Sequence, residues 1–401
     1  MAFNRNLQHL THIAVKETRM ILGLMSGTSV DGLDIALCRF TGNGAATQME
    51  LIDFETIAYA PDFRAEIKTI FSKKQIDFEK LCLLNPWVAT QQSALILAFL
   101  KKRGLQAAEI DLIASHGQTV YHAPKALHQQ KKFGNATLQI GDGDHMAVET
   151  GIITLSDFRQ KHIAAGGEGA PLAVYGDYLI FSKAGEDRIM LNMGGIANFT
   201  YLPGNLDAHE VFCTDTGPGN TLMDAWIQEH FPDQYFDKDG RLAAEGNIDA
   251  ALLTALKDHA FFEQPFPKTT GPELFNLAYL RAAQPKSNTT DLSITNVMAT
   301  LNRFTAETIA ESIHKLTVLQ GDARLYASGG GMHNAVLMQH LHELLPNLSF
   351  HRTESLGVHP DAKEAVLFAV LANECIAGGN VSFGDRPGVP NITMGKISFP
   401  W

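Results

Sequence analysis

Residues 23–34 of the chain read GLMSGTSVDGLD, and they join two strand-like runs at 19–24 and 33–40. Glycines let a backbone approach a ligand closely, and successive N–H groups in such a turn form an anion-binding nest. The hydroxyl side chains add donors, and Asp31 or Asp34 could hold a hydrated Mg²⁺. The segment therefore predicts a β-hairpin that grips phosphate, with a plain polar hairpin as the alternative.

This segment matches neither of two common nucleotide-binding patterns. It lacks the lysine of the G-x-x-x-x-G-K-[ST] loop, and it lacks the G-x-G-x-x-G spacing before a helix. The predicted phosphate site is therefore of a different type.

The composition indicates a globular protein of the size of an enzyme. With 401 residues, of which 45% are hydrophobic, two domains with normal cores are expected. The net charge of -11 argues against a nucleic-acid or anionic-membrane surface. The four cysteines form no C-x-x-C pair, and we expect neither a disulfide framework nor structural zinc. No long apolar run or signal peptide is recognisable, which favours the cytoplasm.

The predicted elements repeat along the chain. The first half shows three strands, ending near residue 60, then helices at 61–72 and 77–103 and strands at 111–115 and 152–155. The second half shows strands at 188–192, 197–202, 210–214, 324–327 and 347–352, with helices at 222–230, 296–319 and 362–377. Two βββαβαβ halves, each opening with a glycine-rich hairpin, predict an α/β protein with two lobes around a nucleotide cleft.

Several long motifs occur in one order along the chain. They are MSGTSVDG (25–32), SHGQT (115–119), DFR (157–159), AAGGEGAP (164–171), LNMGGIAN (191–198), DTGPGN (215–220) and ASGGG (327–331). By these motifs the chain resembles the anhydro-N-acetylmuramic acid kinase family, within the actin, Hsp70 and sugar-kinase superfamily. The likeness implies a duplicated ribonuclease H-like fold, the actin-like ATPase fold. It divides the chain into a first lobe (18–150 plus 360–401) and a second lobe (151–359).

The nucleotide site is predicted from both lobes. Gly194-Gly195 after an apolar strand suggests a second phosphate hairpin, although an ordinary tight turn fits the same residues. Three glycines at 329–331 allow close packing against a purine or ribose, with a flexible turn as the alternative. The predicted ATP-binding residues are Ser26, Gly27, Thr28, Ser29, Asp31, Gly32, Gly194, Gly195, Asn198, Gly217, Gly329, Gly330 and Gly331, with Asp31 also predicted to bind Mg²⁺.

Two carboxylates are candidates for catalysis. Asp215 stands where a strand meets a glycine turn, so it could be a general base in the cleft or a cap of the next helix. The resemblance implies the base. Glu364 shares a helix face with Asp361, which is typical of a solvated surface. The resemblance implies instead that Glu364 reaches the sugar.

Two polar clusters follow buried strands and suit a sugar ligand. His116, Gln118 and Thr119 form one cluster, and Asp157 and Arg159 form the other. Such groups can bind hydroxyls and an acetamide, and an arginine can bind a carboxylate through two hydrogen bonds. The alternative for Asp157 and Arg159 is a local salt bridge.

The resemblance implies an ATP- and Mg²⁺-dependent kinase that opens the 1,6-anhydro ring of 1,6-anhydro-N-acetylmuramic acid and phosphorylates O6. It also implies a homodimer and a role in recycling cell-wall sugars. Two alternatives stay open at this point. One is a conventional sugar kinase that acts on a free hydroxyl. The other is a non-catalytic ATP-binding protein of the Hsp70 or sensor type. A chaperone of the Hsp70 type would need a further peptide-binding domain, for which we expect no room within 401 residues.

Overall fold

The computed structural model describes residues 4–170, 172–316, 323–379, 381–384, 386 and 388–401. The chain forms two compact units: unit 1 (Met1–Phe181 and Gly357–Trp401) and unit 2 (Ser182–Leu356). Residues 151–181, which the sequence placed in the second lobe, belong to unit 1. Pro171 of the 164–171 motif and the last three residues of the predicted helix 296–319 lie outside the described residues.

The strands, numbered along the chain, are β1 (Thr18–Ser26), β2 (Gly32–Thr41), β3 (Gln48–Ala58), β4 (Leu112–Ala123), β5 (Ala136–Ile140), β6 (Thr154–Ser156), β7 (Arg188–Met193), β8 (Ile196–Leu202), β9 (Phe212–Pro218), β10 (Arg324–Ser328), β11 (Ser349–Arg352) and β12 (Lys396–Ser398). The helices are α1 (Arg5–Val15), α2 (Pro61–Lys68), α3 (Phe78–Lys102), α4 (Lys125–His128), α5 (Gly143–Thr150), α6 (Phe158–Ala164), α7 (Ala173–Phe181), α8 (Thr221–His230), α9 (Arg241–Glu245), α10 (Ala250–Lys257), α11 (Leu277–Lys286), α12 (Ile294–His314), α13 (Ala335–Leu344) and α14 (Lys363–Ala377).

The sheet of unit 1 has the strand order β12-β6-β4-β1-β2-β3, with β5 paired to β4. The first three strands are antiparallel, with Thr18 opposite Thr41 and Gly32 opposite Ala58. Strand β4 runs parallel to β1, and β6 runs parallel to β4. The hairpin predicted from residues 19–40 is therefore confirmed, and it occupies the centre of this sheet.

The sheet of unit 2 repeats this plan in the order β11-β10-β7-β8-β9. Strands β7, β8 and β9 are antiparallel, and β10 and β11 are parallel to β7. Each strand of this sheet has a counterpart in unit 1 at the same place in the order. The predicted duplicated βββαβαβ plan, and with it the α/β fold class, is confirmed.

Each unit has its own apolar core. In unit 1, Val88 and Ile96 of α3 are fully buried in one cluster with Ile35 and Ile113 of the sheet. In unit 2, α12 contributes buried residues both to a cluster against the sheet and to a helical cluster. Burying one such side chain contributes about 1.5–3 kcal/mol, so these faces dominate the stability of the elements. None of the helices in the described ranges is both long and apolar enough to cross a lipid bilayer.

Helix α14 crosses β1 at very short range, and a glycine makes this crossing possible. A Cβ atom built on Gly23 would overlap the carbonyl oxygen of Ala365 in α14. Because Gly23 has no side chain, the helix backbone rests directly on the strand that leads into the first hairpin.

Two strands are longer than predicted. The strands predicted at 111–115 and 210–214 were expected to end at Ser115 and Thr214. In the structure β4 continues to Ala123 and β9 continues to Pro218. Irregular register lies on both extensions, between Thr119 and Tyr121 in β4 and opposite Ala197/Asn198 in β9. Bulges let glycine and polar residues stay within a strand. The predicted strand ends were therefore wrong, and strand β5, which pairs with the extension of β4, was missed.

Candidate active site

The first hairpin joins β1 to β2 through residues 27–31. The N–H of Val30, at a positive φ of 55°, donates to the carbonyl of Gly27 (3.3 Å) and closes the turn. Thr28 and Ser29 are exposed, and the Ser29 hydroxyl donates to Oδ1 of Asp31 (2.8 Å). The turn therefore presents hydroxyls and a carboxylate to solvent, which suits a phosphate site that recruits a cation.

A chain of buried side chains holds this hairpin from below. Nε2 of Gln92 donates to the Tyr59 hydroxyl (3.0 Å), which lies 2.8 Å from Oγ of Ser26. Ser26 donates to Oε1 of Gln118 (2.6 Å), and Nε2 of Gln118 donates to the Gly27 carbonyl (3.1 Å). Gln118 is 0% exposed. The structure thus places Ser26 and Gln118, which were predicted to bind ATP and sugar, underneath the hairpin as its support.

The second hairpin joins β7 to β8 through Gly194 and Gly195, and the N-terminus of α8 holds it. The N–H groups of Gly219 and Asn220 donate to the Gly195 and Gly194 carbonyls, both at 2.8 Å. The N–H of Thr221 also donates to Gly195 (3.1 Å). Backbone groups therefore support this turn at the place where side chains support the first.

Both turns have open space above a glycine. A Cβ atom on Gly27 would come no closer than 3.6 Å to a neighbour, the Ser29 hydroxyl. On Gly194 the nearest atom would be the Ile196 carbonyl oxygen at 3.7 Å. The protein's own packing does not demand glycine at either position. The free space fits a phosphate that approaches each turn.

The glycines after β10 are required for a different reason, which is close packing against the second hairpin. Gly329 has a φ of +82°, and a Cβ atom there would lie 2.7 Å from the Met193 carbonyl oxygen. A Cβ atom on Gly331 would lie 2.7 Å from Cβ of Met193, whereas Gly330 is exposed. Residues 330–333 form a 3₁₀ turn before α13. The packing of the second hairpin thus accounts for two of the three glycines, and Gly330 is the most exposed of the three.

Asp215 lies inside β9, and its carboxylate is held by a neighbouring segment. Oδ2 accepts a hydrogen bond from the N–H of Thr270 (2.8 Å), and the N–H of Asp215 donates to the Lys268 carbonyl (2.9 Å). The N-cap residue of α8 is Asn220, so Asp215 does not cap that helix. Asn198, also predicted at the site, stands directly opposite Asp215 on β8.

Burial raises the pKa of Asp215 to about 6, and the nearby carboxylate of Glu273 adds to the rise. The Thr270 hydrogen bond and the charge of Lys268 act in the opposite direction. A carboxylate with this pKa is ionised at neutral pH and is basic enough to accept a proton from water in a reaction. This is the electrostatic character that a general base requires.

Arg159 and His116 meet in unit 1. Nε of Arg159 donates to Nε2 of His116 (2.8 Å), and Nη1 donates to the Gly169 carbonyl (2.7 Å). Burial, reinforced by the Arg159 charge, lowers the pKa of His116 to about 3. The imidazole is therefore neutral, and it accepts from the guanidinium and orients it.

Glu364 stands in the first turn of α14 and contacts solvent, yet protein surrounds it on several sides. Burial raises its pKa, whereas the charge of Arg159 lowers it and that of Asp34 raises it. Asp34 likewise has a raised pKa because of burial. Unit 1 therefore brings Arg159, Glu364 and Asp34 within electrostatic reach of one another.

The remaining sugar candidates have partners of their own. Asp157 accepts from Nζ of Lys396 (2.8 Å), whereas Arg159 bonds to His116 and Gly169. Thr119 accepts from Nε2 of Gln139 (3.1 Å). Asp157 and His116 both line a cavity of about 1000 Å³ within unit 1.

Sequence reasoning missed the supporting residues. Tyr59 and Gln92 under the first hairpin, and Lys268 and Thr270 beside Asp215, carry no motif of their own. Lys268 lies over 50 positions from Asp215, and no periodic pattern connects the two. Only the folded arrangement reveals them.

This chain has full-length relatives among known proteins. The sequence profile of the family described as anhydro-N-acetylmuramic acid kinase matches residues 19–390. This chain belongs to that family. It is 55% identical to the anhydro-N-acetylmuramic acid kinase of Pseudoalteromonas atlantica, over 99% of this chain and 100% of the relative. It is 36% identical to that of Caldanaerobacter subterraneus subsp. tengcongensis, over 98% and 100% respectively.

Kinases use a divalent metal ion to neutralise the phosphates of the nucleotide. Within the described ranges, no three His, Cys, Asp or Glu side chains converge as a metal site. Magnesium at kinase sites is typically held by one or two carboxylates together with substrate phosphates and water. The exposed carboxylate of Asp31, beside the first phosphate-type turn, fits that donor set.

Proposed function

We propose that this chain is an ATP-dependent kinase that hydrolytically opens the ring of 1,6-anhydro-N-acetylmuramic acid and phosphorylates O6. The products are N-acetylmuramic acid 6-phosphate and ADP. Membership of the family, near-complete coverage of its relatives and the Asp215 environment support this proposal. The physiological context is the recycling of cell-wall sugars. A homodimeric state and a cytoplasmic location, both implied by the resemblance, stay predictions.

Asp215 initiates the reaction. Its free carboxylate oxygen accepts a proton from water, and the water oxygen forms a bond to C1 of the sugar. The bond between C1 and O6 breaks, and its electron pair moves to O6. A base within hydrogen-bond reach contributes typically about 10²–10⁴-fold to such a step.

O6 then attacks the γ-phosphorus of ATP, and the bond to the bridging oxygen of ADP breaks. The N–H groups of the two glycine turns stabilise the charge on the transferring phosphoryl group. Asp31 would hold Mg²⁺, which would supply further neutralisation of this charge. The open space over Gly27 and Gly194 is the feature of the chain that supports this role for the turns.

Arg159 and Glu364 bind the sugar. The guanidinium, oriented by neutral His116, has the geometry to pair with the carboxylate of the lactyl group. Glu364 accepts hydrogen bonds from sugar hydroxyls.

The single observation that carries the proposal is Asp215, a carboxylate with a pKa of about 6 and one oxygen already held by Thr270. Reaction in ¹⁸O-labelled water tests it. The label is expected on the anomeric hydroxyl of the product and not in the transferred phosphate, because O6 is the acceptor. Label in phosphate would show plain ATP hydrolysis. Activity on free N-acetylmuramic acid alone would show a conventional kinase.

Asp215→Asn supplies the matched variant, because it preserves size and removes proton acceptance. We expect kcat to fall by about 10²–10⁴-fold with sugar binding largely retained. Turnover near that of the unaltered protein would move the base elsewhere, with Glu364 and Asp157 as the next candidates.

A further inference from the structure

A segment of unit 2, residues 261–270, runs beside the edge strand β9 and is called the strap here. Hydrogen bonds connect its end to the strand. The N–H of Lys268 donates to Oγ1 of Thr214 (3.0 Å), the N–H of Asp215 donates to the Lys268 carbonyl (2.9 Å), and the N–H of Thr270 donates to Oδ2 of Asp215 (2.8 Å). The strap therefore fixes both the backbone and one carboxylate oxygen of Asp215.

The strap also buries a cation. Lys268 is 5% exposed, and its Nζ donates to the Phe261 carbonyl (3.0 Å) and lies 4.2 Å from the centre of the Phe261 ring. Burial lowers the pKa of Lys268 to about 8, helped by the charge of Lys315 and opposed by the charges of Glu263 and Asp215. The ammonium is therefore still predominantly protonated at neutral pH.

Burying an ammonium group is unfavourable unless nearby groups compensate it, and an apolar side chain would fill the same aromatic pocket without that penalty. Packing alone therefore gives no reason for a lysine here. The charges that act on Asp215 are those of Glu273 and Lys268, and Lys268 is the one that favours the ionised carboxylate.

We propose that the strap is a positioning element for proton transfer, in which Thr270 holds Oδ2 so that Oδ1 is left as the proton acceptor, and the buried Lys268 ammonium acts on the carboxylate through its charge. Lys268 acts through Asp215 and does not touch the substrates. This inference rests on the proposed function, in which Asp215 is the general base.

The test is the pH dependence of kcat/KM for the anhydro sugar. Replacing the cation in Lys268→Met removes a charge that lowers the pKa of Asp215. The acid limb of the profile is therefore expected to move to higher pH. Lys268→Arg retains the charge and is expected to keep the limb near its original position.

Lys315→Met is the matched control. Lys315 donates to the carbonyl of Phe262 in the strap at 2.7 Å, and its charge acts on Lys268. Its replacement is expected to leave the acid limb in place. An unshifted limb in Lys268→Met, or an equal shift in Lys315→Met, would overturn the inference, because a purely structural lysine changes stability without moving this limb.

Two further variants cover a failure of Lys268→Met to fold. Lys268→Gln keeps a donor and removes the charge, and Thr270→Pro deletes the N–H that holds Oδ2. Each is expected to move the limb upward, and no shift in a folded variant would contradict the inference. If the unaltered protein shows no acid limb and Asp215→Asn stays active, the proposed base itself is wrong. If the limb is present but these variants do not move it, only the role of the strap is wrong.

Discussion

The two glycine-rich hairpins occupy equivalent places in the two sheets, yet they are supported differently. Side chains hold the first turn, through the series Gln92, Tyr59, Ser26 and Gln118. Backbone N–H groups at the start of α8 hold the second. A duplicated fold therefore preserves the position of a turn without preserving the groups beneath it. Substitutions can loosen the first hairpin from below through several side chains, whereas the second is held mainly by backbone groups, with one side-chain hydrogen bond from Nδ2 of Asn220 to the Met193 carbonyl (3.2 Å).

The largest loss of ATP affinity is expected from closing the open space above either turn. In Gly27→Val and Gly194→Val, the added side chain occupies the volume that we assign to phosphate. Each is expected to weaken ATP binding at least about tenfold, which is about 1.4 kcal/mol. Calorimetric titration with ATP measures the loss, with thermal unfolding as the check on folding. Normal ATP affinity in both folded variants would show that the turns do not hold phosphate.

A pH profile sharpens the comparison, since the proposed base belongs only to the sheet of the second hairpin. Asp215 has a pKa of about 6 because of burial, and it must be ionised to accept a proton. Activity is therefore expected to fall as pH drops through about 6, approaching tenfold per pH unit. His116, with a pKa of about 3, stays neutral throughout this range.

Asp224 provides the control for that profile. Burial also raises its pKa to about 6, and it stands in the first turn of α8. Asp224→Asn is expected to keep the acid limb. Loss of the acid limb in Asp224→Asn would assign the titration to Asp224 and would contradict its assignment to Asp215.

The third effect isolates the side-chain support of the first hairpin. Gln118→Ala leaves Ser26 and the Gly27 carbonyl without their buried partner, which is expected to destabilise the fold by about 2 kcal/mol. ATP affinity should fall while the pH limb set by Asp215 stays in place. Gln139→Ala is the control, because Gln139 bonds Thr119 and Thr137 instead of the hairpin. Unchanged ATP affinity in Gln118→Ala would mean that the turn holds its shape unaided.

The smallest effect belongs to Tyr59→Phe. Removing one hydroxyl breaks the contacts with Ser26 and Gln92 and keeps the aromatic stacking on Phe63. A loss of about 1 kcal/mol in stability is expected from chemical denaturation. A larger loss of ATP affinity than in Gln118→Ala would reverse the order of importance that the structure suggests.

Sequence patterns were sufficient for the repeated strand order and for both hairpins, because apolar runs and glycine turns are local signals. They misplaced the ends of β4 and β9, since Gly117 and Gly217 look like turn residues. In the structure these glycines, at φ values of +70° and +147°, lie within irregular strands. The strap around Lys268 could not be predicted, because its contacts with Asp215 join distant positions without a periodic pattern. The roles assigned to the individual site residues stay predictions.

The contact between Gly23 and Ala365 has a mechanical meaning. Gly23 lies three residues before Ser26 of the first hairpin, and Ala365 directly follows Glu364. The close approach of Gly23 to Ala365 thus helps to set the spacing between the group assigned to phosphate and the group assigned to the sugar. Enlarging residue 23 would widen that gap without altering any ligand-binding side chain. Loss of activity on substitution of Gly23 would therefore reflect a changed distance between the two substrates and not a lost contact with either.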